Sequence, residues 1–420
     1  MLNRLFGFSL LSLTANVLTK SGVFIVLIYL SHFLTIEDFA TYSLIYNLTM
    51  VLGTVSAASF GILITNLVSK LNISIIALIK NRLPVSIILS FLSSLVACFF
   101  IDLNGISAPY LFVFIFICSL SYSIESMSHG GLNAKLLYKK ILFNGFIKVS
   151  ALILGSVILT QIFGFIGSIL ALALYVFLGS VLNFFSLLVD NNIKDKYFET
   201  KREVISEALP LLLTNIMVTG SMWCLNYYAY DNLGAAESSL LSVLLQITQL
   251  ILFATTAFTA PLLPFLNRLE NKNIELVNLY VPTLIVGVIC LFLYEIGFFE
   301  VIYGNGIINS SNVELLAYMM MISILSVFKL SLFRKNIQAG KLHLSLINNS
   351  IWLLLVFLGI VYFGFEIAVL VQSMLFAHFI TLFTSLYMYH TSGVVRAEMF
   401  VNIKGLMFMF FIMFCGWVLL

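Results

Sequence analysis

The stretch Leu13–Leu30, LTANVLTKSGVFIVLIYL, contains a single charged residue, Lys20, and that residue sits near its middle. The apolar run continues on both sides to the roughly 20 residues that cross a bilayer as a helix. A lysine at the centre of such a helix costs roughly 2.5–3.5 kcal/mol on insertion scales, so it is kept where it has a partner or a task. The rest of the chain has the same character. Of its 420 residues, 61% are hydrophobic and only 9% charged, against about 25% charged in an average soluble protein. The mean hydropathy is +1.10. Such a chain cannot cover a water-facing surface, so an integral membrane protein is expected. Its long apolar runs predict helices, since barrel strands alternate apolar and polar residues in segments of about ten. Arg4 before an apolar run imitates a signal peptide, but Lys20 interrupts the continuation, and a retained first helix is expected.

Run lengths predict an all-α protein of twelve spans, near 9–33, 40–68, 84–103, 109–132, 142–163, 165–189, 209–230, 238–264, 278–299, 314–333, 344–363 and 365–389. They divide into a six-helix lobe over 1–190, a charged linker over 191–208, a second six-helix lobe over 209–390 and a tail over 391–420. A further apolar run at 405–420 is either a thirteenth span or a membrane-lying tail. With the N-terminus in the cytoplasm, the inside loops collect Lys70, Lys80, Arg82, Lys135, Lys139, Lys140, Lys194, Lys196, Lys201, Arg202, Arg268, Lys272, Arg334, Lys335, Lys341 and Arg396. The outside loops collect Glu37, Asp38, Asp102, Asp231, Glu237, Glu300, Glu314 and Glu366, and no basic residue. That asymmetry is the positive-inside rule.

The two lobes show traces of duplication. LTIEDFATYS (34–43) matches LGAAESSLLS (233–242) at an offset of 199, and FGF at 163–165 recurs at 363–365. Pro84 pairs with Pro282, and Lys135 with Arg334. An even number of spans per repeat makes the repeats parallel, with a substrate path expected between them.

LSHFLTIEDFATYSLIYNLTMVLG (30–53) resembles the first loop and second helix of polysaccharide exporters, with Ala40 where glycine is usual. EALPLLLTNIM (207–217), APLLPFLNRLE (260–270) and YFGFEIAVLVQSM (362–374) are similar to the start of their seventh span, the end of their eighth and the opening of their twelfth. The resemblance is to the Wzx-type O-antigen flippases of the multidrug/oligosaccharidyl-lipid/polysaccharide flippase superfamily. It implies a two-lobed twelve-helix fold around a central cavity. It also implies a substrate, an oligosaccharide unit on undecaprenyl pyrophosphate, and a place in the bacterial inner membrane beside other polysaccharide assembly proteins.

Three basic residues fall within spans: Lys20, Lys148 and Lys329. A pyrophosphate carrier makes a cationic cavity sensible, because lysine is a compact, mobile point charge. Lys20, Lys148 and Lys329 are the candidate headgroup contacts, with Asn16 one turn before Lys20. The competing reading is snorkelling or a structural ion pair, and Lys329 is close enough to Arg334 to reach the interface. Glu125 and His129, four apart on one helix face, and Glu295 are candidates for coupling to an H⁺ or Na⁺ gradient. Glu125 pairing with Lys148 or Lys20 is the alternative. Gln246, Gln249 and Gln372 are plausible sugar contacts, and His378 is expected as a hydrogen-bonded core residue. The five cysteines lack metal-ligand spacing and are expected as small core residues.

A multidrug or organic-cation exporter of the same superfamily is one rival reading, though it calls for acids in the cavity. A membrane glycosyltransferase or polysaccharide polymerase is another, with Glu37 and Asp38 as an acidic pair. The outside loops are short for that. No GxxxxGK[ST] is present, so this chain does not itself hydrolyse ATP through a P-loop. The expectation is a transporter and not an enzyme, with no cofactor or metal, acting on a lipid-linked substrate among membrane lipids and not on nucleic acid.

Overall fold

A computed structural model describes residues 2–57, 60–71, 74–100, 107–189, 209–210, 212–259, 272–303, 308, 312–339 and 341–393. The linker 191–208, the run 405–420 and the segment 260–270 fall outside them. The first lobe comprises α1 (Leu2–Phe33), α2 (Ile36–Ala57), α3 (Phe60–Leu71), α4 (Ile75–Phe100), α5 (Ala108–Ala134), α6 (Tyr138–Phe163) and α7 (Phe165–Val189). The second comprises α8 (Ser221–Asn232), α9 (Ala235–Thr259), α10 (Lys272–Glu295), α11 (Phe298–Tyr303), α12 (Val313–Ala339), α13 (Leu342–Phe363) and α14 (Ile367–Thr391). No strand occurs among the described residues.

Nine of these helices, α1, α4–α7, α9 and α12–α14, are long and apolar enough to cross a membrane, and each lies on an expected span. The other three expected spans are not among these nine. The second is shared between α2 and α3. The seventh passes through a π-helical turn, Ile216–Gly220, before α8. In the ninth, α10, the apolar stretch is Ile285–Glu295. Pro84 and Pro282 both lie inside helices, α4 and α10. Neighbouring helices make that tolerable within a membrane.

Backbone geometry shows why the repeat leaves traces in the sequence. Leu34 N donates to Leu30 O and Leu233 N to Ala229 O, both at 2.9 Å and 199 residues apart. The two FGF motifs close equivalent hairpins, α6–α7 and α13–α14. Their glycines have φ of +60° at Gly164 and +91° at Gly364, which a residue with a Cβ adopts only with strain. Glu37, Asp38, Glu237 and Glu314 occupy first helical turns, where the helix dipole favours acids. The offset is not constant. α6 has 26 residues and α13 has 22, one turn fewer. The Lys135–Arg334 match therefore fails: Lys135 caps α5, whereas Arg334 lies five residues before the end of α12.

Arg334 and Lys335 are not loop residues, as the charge map had them, but are buried within α12. Lys80 and Arg82 likewise lie in α4. Cys118 and Cys290 are buried, but Cys224 is exposed and Cys98 only half-buried, so the cysteines do not form a uniform core set. Large apolar side chains such as Phe143, Ile162, Phe185, Val288 and Phe357 face outward, as lipid contact requires.

The core runs across both lobes at one end and is split between them at the other. In the half containing the α1–α2, α8–α9 and α13–α14 turns, one cluster joins both lobes. It runs from Val23, Leu27, Leu30 and Phe39 to Leu240, Leu244, Ile247, Met319 and Leu370. In the half containing the N-terminus there are two clusters. One gathers Phe60, Ile64, Ile75, Met127 and Leu187 of the first lobe, with Leu212 alone from the second packed against it among the described residues. The other gathers Leu325, Phe328, Leu332, Leu382 and Leu386 of the second. Polar contacts between lobes follow the joined end: Trp223 Nε1 donates to Leu44 O at 3.2 Å, Ser239 Oγ to Ile36 O at 3.5 Å, and the His32 ring meets Ile302 O at 3.0 Å.

Candidate functional site

Lys20 is ten residues into the apolar part of α1, Leu10–Phe33, or about 15 Å deep at 1.5 Å per residue. Helix α1 comes very close to α6 there. A Cβ at Gly22 would lie 2.2 Å from Val149 Cγ1, and one at Gly145 would lie 3.5 Å from Thr19 Cγ2. That approach sets Lys20 beside the helix that carries Lys148. On α5, Glu125 and His129 share a face toward the same space. Lys148 Nζ and Glu125 Oε1 form a hydrogen-bonded ion pair. The ammonium also lies 4.4 Å from the centroid of the Tyr175 ring on α7, a cation–π contact. One turn below Lys148, Asn144 Nδ2 donates to Asn183 Oδ1 and Ser186 Oγ, both at 2.9 Å, which ties α6 to α7 and fixes the rotation of the face that carries Lys148.

These groups line a cavity of about 290 Å³. Lys20, Tyr122, Glu125, His129, Lys148 and Tyr175 supply its polar wall. All its lining residues come from α1, α2, α3, α5, α6 and α7. The candidate residues therefore meet inside the first lobe and not in a central cavity between lobes, as the resemblance implied. Two ammonium groups and one carboxylate face one another there. The buried pair satisfies itself, and the second lysine gives the cavity an excess of positive charge.

The remaining candidates are elsewhere. Lys329, on α12 of the second lobe, does not snorkel: its Nζ donates to Thr381 Oγ1 on α14 at 2.8 Å. Glu295 is exposed at the last residue of α10, away from the cavity. Asn16 lies in α1, and its side chain is not among those described. Gln246 is buried in α9 with neither amide atom bonded, whereas Gln249 and Gln372 are exposed. His378 contacts Ser326 Oγ at 3.5 Å and packs on Trp352. Glu37 and Asp38 gather no third ligand, and no group of three metal-ligating side chains occurs among the described residues.

Charge in an apolar run pointed to Lys20, Glu125, His129 and Lys148. It could not point to Tyr175, Tyr122 or Gly179. Gly179 leaves the space that the Glu125 carboxylate fills: a Cβ there would stand 2.4 Å from Oε2. Gly179→Ala is expected to push the carboxylate away from Lys148 and to destabilise the protein by about 1–3 kcal/mol, the usual overpacking cost. Thermal unfolding in detergent checks this. A melting temperature equal to the parent's would show that Glu125 is not confined as described.

No family model matches the chain, and no curated protein matches it. Solved structures do. The chain is similar to the outward-facing conformation of a multidrug resistance MATE family transporter of the MOP superfamily, with 14% identity, 93% of this chain and 96% of that one covered, and a TM-score of 0.66. It is similar to an inward-facing conformation of such a transporter at 16% identity, over 92% and 94% of the two chains, with a TM-score of 0.61. A MATE structure in complex with MaL6 gives 13% identity, 92% and 95% coverage and a TM-score of 0.68. The likeness establishes a MATE-like transporter fold with a two-lobe repeat. Both conformations match over nearly the whole chain, so it does not assign the state.

Proposed function

We propose that this chain is a secondary transporter that works by alternating access and carries an amphipathic substrate with an anionic phosphate headgroup, an oligosaccharide on undecaprenyl pyrophosphate, from the cytoplasmic to the periplasmic leaflet of a bacterial inner membrane. The observation that carries the headgroup reading is the cavity in which Lys20 and Lys148 face a single carboxylate. An incoming phosphate meets both lysines and competes with Glu125 for Lys148. In this reading Glu125 and His129, which line the same cavity, take up a coupling proton when that pair opens. Lys329 and Glu295 are left out of this site.

A second reading has an observation of its own. The solved structures of this fold are described as multidrug resistance transporters, which supports an exporter of organic molecules more directly than it supports a flippase. Under that reading, Glu125 with Tyr122 and Tyr175 would receive a cation by charge and by ring faces. Vesicles holding the purified chain separate the two. Movement of a fluorescent lipid-linked sugar with no movement of an organic cation dye supports the flippase. The reverse result replaces it with the exporter.

Alternation has its own check. With the N-terminus in the cytoplasm, the lobes join at the periplasmic end. Cysteines replacing Ile36 and Ser239, which already touch across the lobes, are expected to crosslink on oxidation in resting vesicles and to stop transport until reduced. Full transport by the crosslinked protein would exclude a cycle in which that end opens.

A further inference from the structure

Helices α12–α14 repeat α5–α7, and two asparagines set the register. Asn144 on α6 donates to Asn183 and Ser186 on α7, and Asn348 on α13 accepts from Thr384 on α14 at 2.9 Å. The asparagines stand 204 residues apart, as do the residues preceding α6 and α13, Leu137 and Lys341. At that offset, to within a residue, Glu125 corresponds to Lys329 and Lys148 to Trp352. Where the first lobe has a carboxylate–ammonium pair, the second has a lysine on α12 and a tryptophan on α13.

That exchange leaves donors without an anion. Lys329 Nζ has three protons to give. One goes to Thr381 Oγ1, whose own proton goes to Ala377 O at 2.6 Å. Among the described residues no carboxylate pairs with Lys329. One turn before Lys329, Ser326 reaches His378, one turn before Thr381. Trp352 packs on His378 with ring centroids 5.5 Å apart. It is 2% exposed, and its Nε1–H has no acceptor. Buried donors are nearly always bonded, and a charge within a membrane helix is met by another ionisable group or by backbone carbonyls. Two helices, α12 and α13, thus meet one turn of α14 with a lysine that has no carboxylate among the described residues and an indole N–H without an acceptor.

We propose that the second lobe holds an anion subsite at Lys329 and Trp352, flanked by His378 and Thr381, that takes a phosphate-type oxyanion. It is separate from the Lys20 cavity and does not depend on the substrate assigned to it.

The chain has three tryptophans, Trp223, Trp352 and Trp417. In the full-length Trp223→Phe, Trp417→Phe protein, Trp352 emission reports on the site directly. Sodium pyrophosphate titrated into phosphatidylcholine nanodiscs, at ionic strength matched with sodium chloride, is expected to change that emission saturably. Lys329→Gln should raise the half-saturating concentration at least tenfold. If soluble pyrophosphate is silent but phosphatidylglycerol discs shift the emission in a Lys329-dependent way, the site is filled by a lipid headgroup. Emission flat in both arms, or a Lys329→Gln protein that titrates like its parent, overturns the subsite. Thr381→Val keeps the ammonium and removes its hydroxyl partner, so it should bind at equal or lower concentration. A folded Thr381→Val protein blind to both probes also overturns it.

Discussion

Lys20→Ala is expected to reach the membrane at normal or raised level and to lose most lipid-linked sugar transport. Removing a charge from the middle of α1 eases insertion by roughly 2–3 kcal/mol, so a fall in protein level is not expected. A hydrogen bond to a charged group is worth about 1.5–3 kcal/mol, which corresponds to a roughly ten- to hundredfold loss of transport. Lys20→Arg should keep part of the activity, because charge survives in a different shape. Lys20→Glu should do worse than alanine, since it places a second carboxylate beside Glu125. Initial rates in vesicles, normalised to inserted protein, decide the matter. Transport at the parent's rate by Lys20→Ala would end the headgroup assignment.

The largest effect on stability is expected at Lys148. Its side chain is 10% exposed and that of Glu125 is 16% exposed, so neither charge has much water to fall back on. Lys148→Met leaves Glu125 buried without its partner, a loss of about 3–5 kcal/mol for a broken buried pair. Adding Glu125→Gln removes the orphaned charge and should restore most of the stability. Unfolding of the single and double variants measures the coupling. Losses that merely add would mean that the two residues do not act as a pair. The partner of Glu125 is Lys148, so rescue of a Lys20 variant by Glu125→Gln is not expected.

The spans were legible because an apolar run long enough to cross a bilayer admits few other structures. The breaks were not. The π turn at Ile216–Gly220 depends on how that helix meets its neighbours, and IMVTG looks as helical as the rest. The site was half legible for a related reason. A charge in an apolar run stands out, so Lys20, Lys148, Glu125 and His129 were visible singly. That they share one lobe follows from α1 packing on α6 and α5 on α7, which no periodicity encodes. Tyr175 and Gly179 carry no charge and were invisible. The snorkelling alternative for Lys329 fails because depth along its own helix does not reveal Thr381, its partner on another helix. Glu295 is exposed because the end of α10 comes directly after it, a helix boundary that the apolar run does not mark.

A body joined at one end and divided at the other displaces different areas of the two leaflets. Closing the divided end while opening the joined one moves that area from one leaflet to the other. Lipid packing then enters the cycle as work done by or against lateral pressure. Since lipid tails match apolar side chains in kind, little hydrophobic gain offsets that work. In the alternating cycle proposed above, the balance between the two states is a property of the bilayer as well as of the chain, and leaflets rich in bulky or conical lipids would act as an effector without occupying any site on the protein.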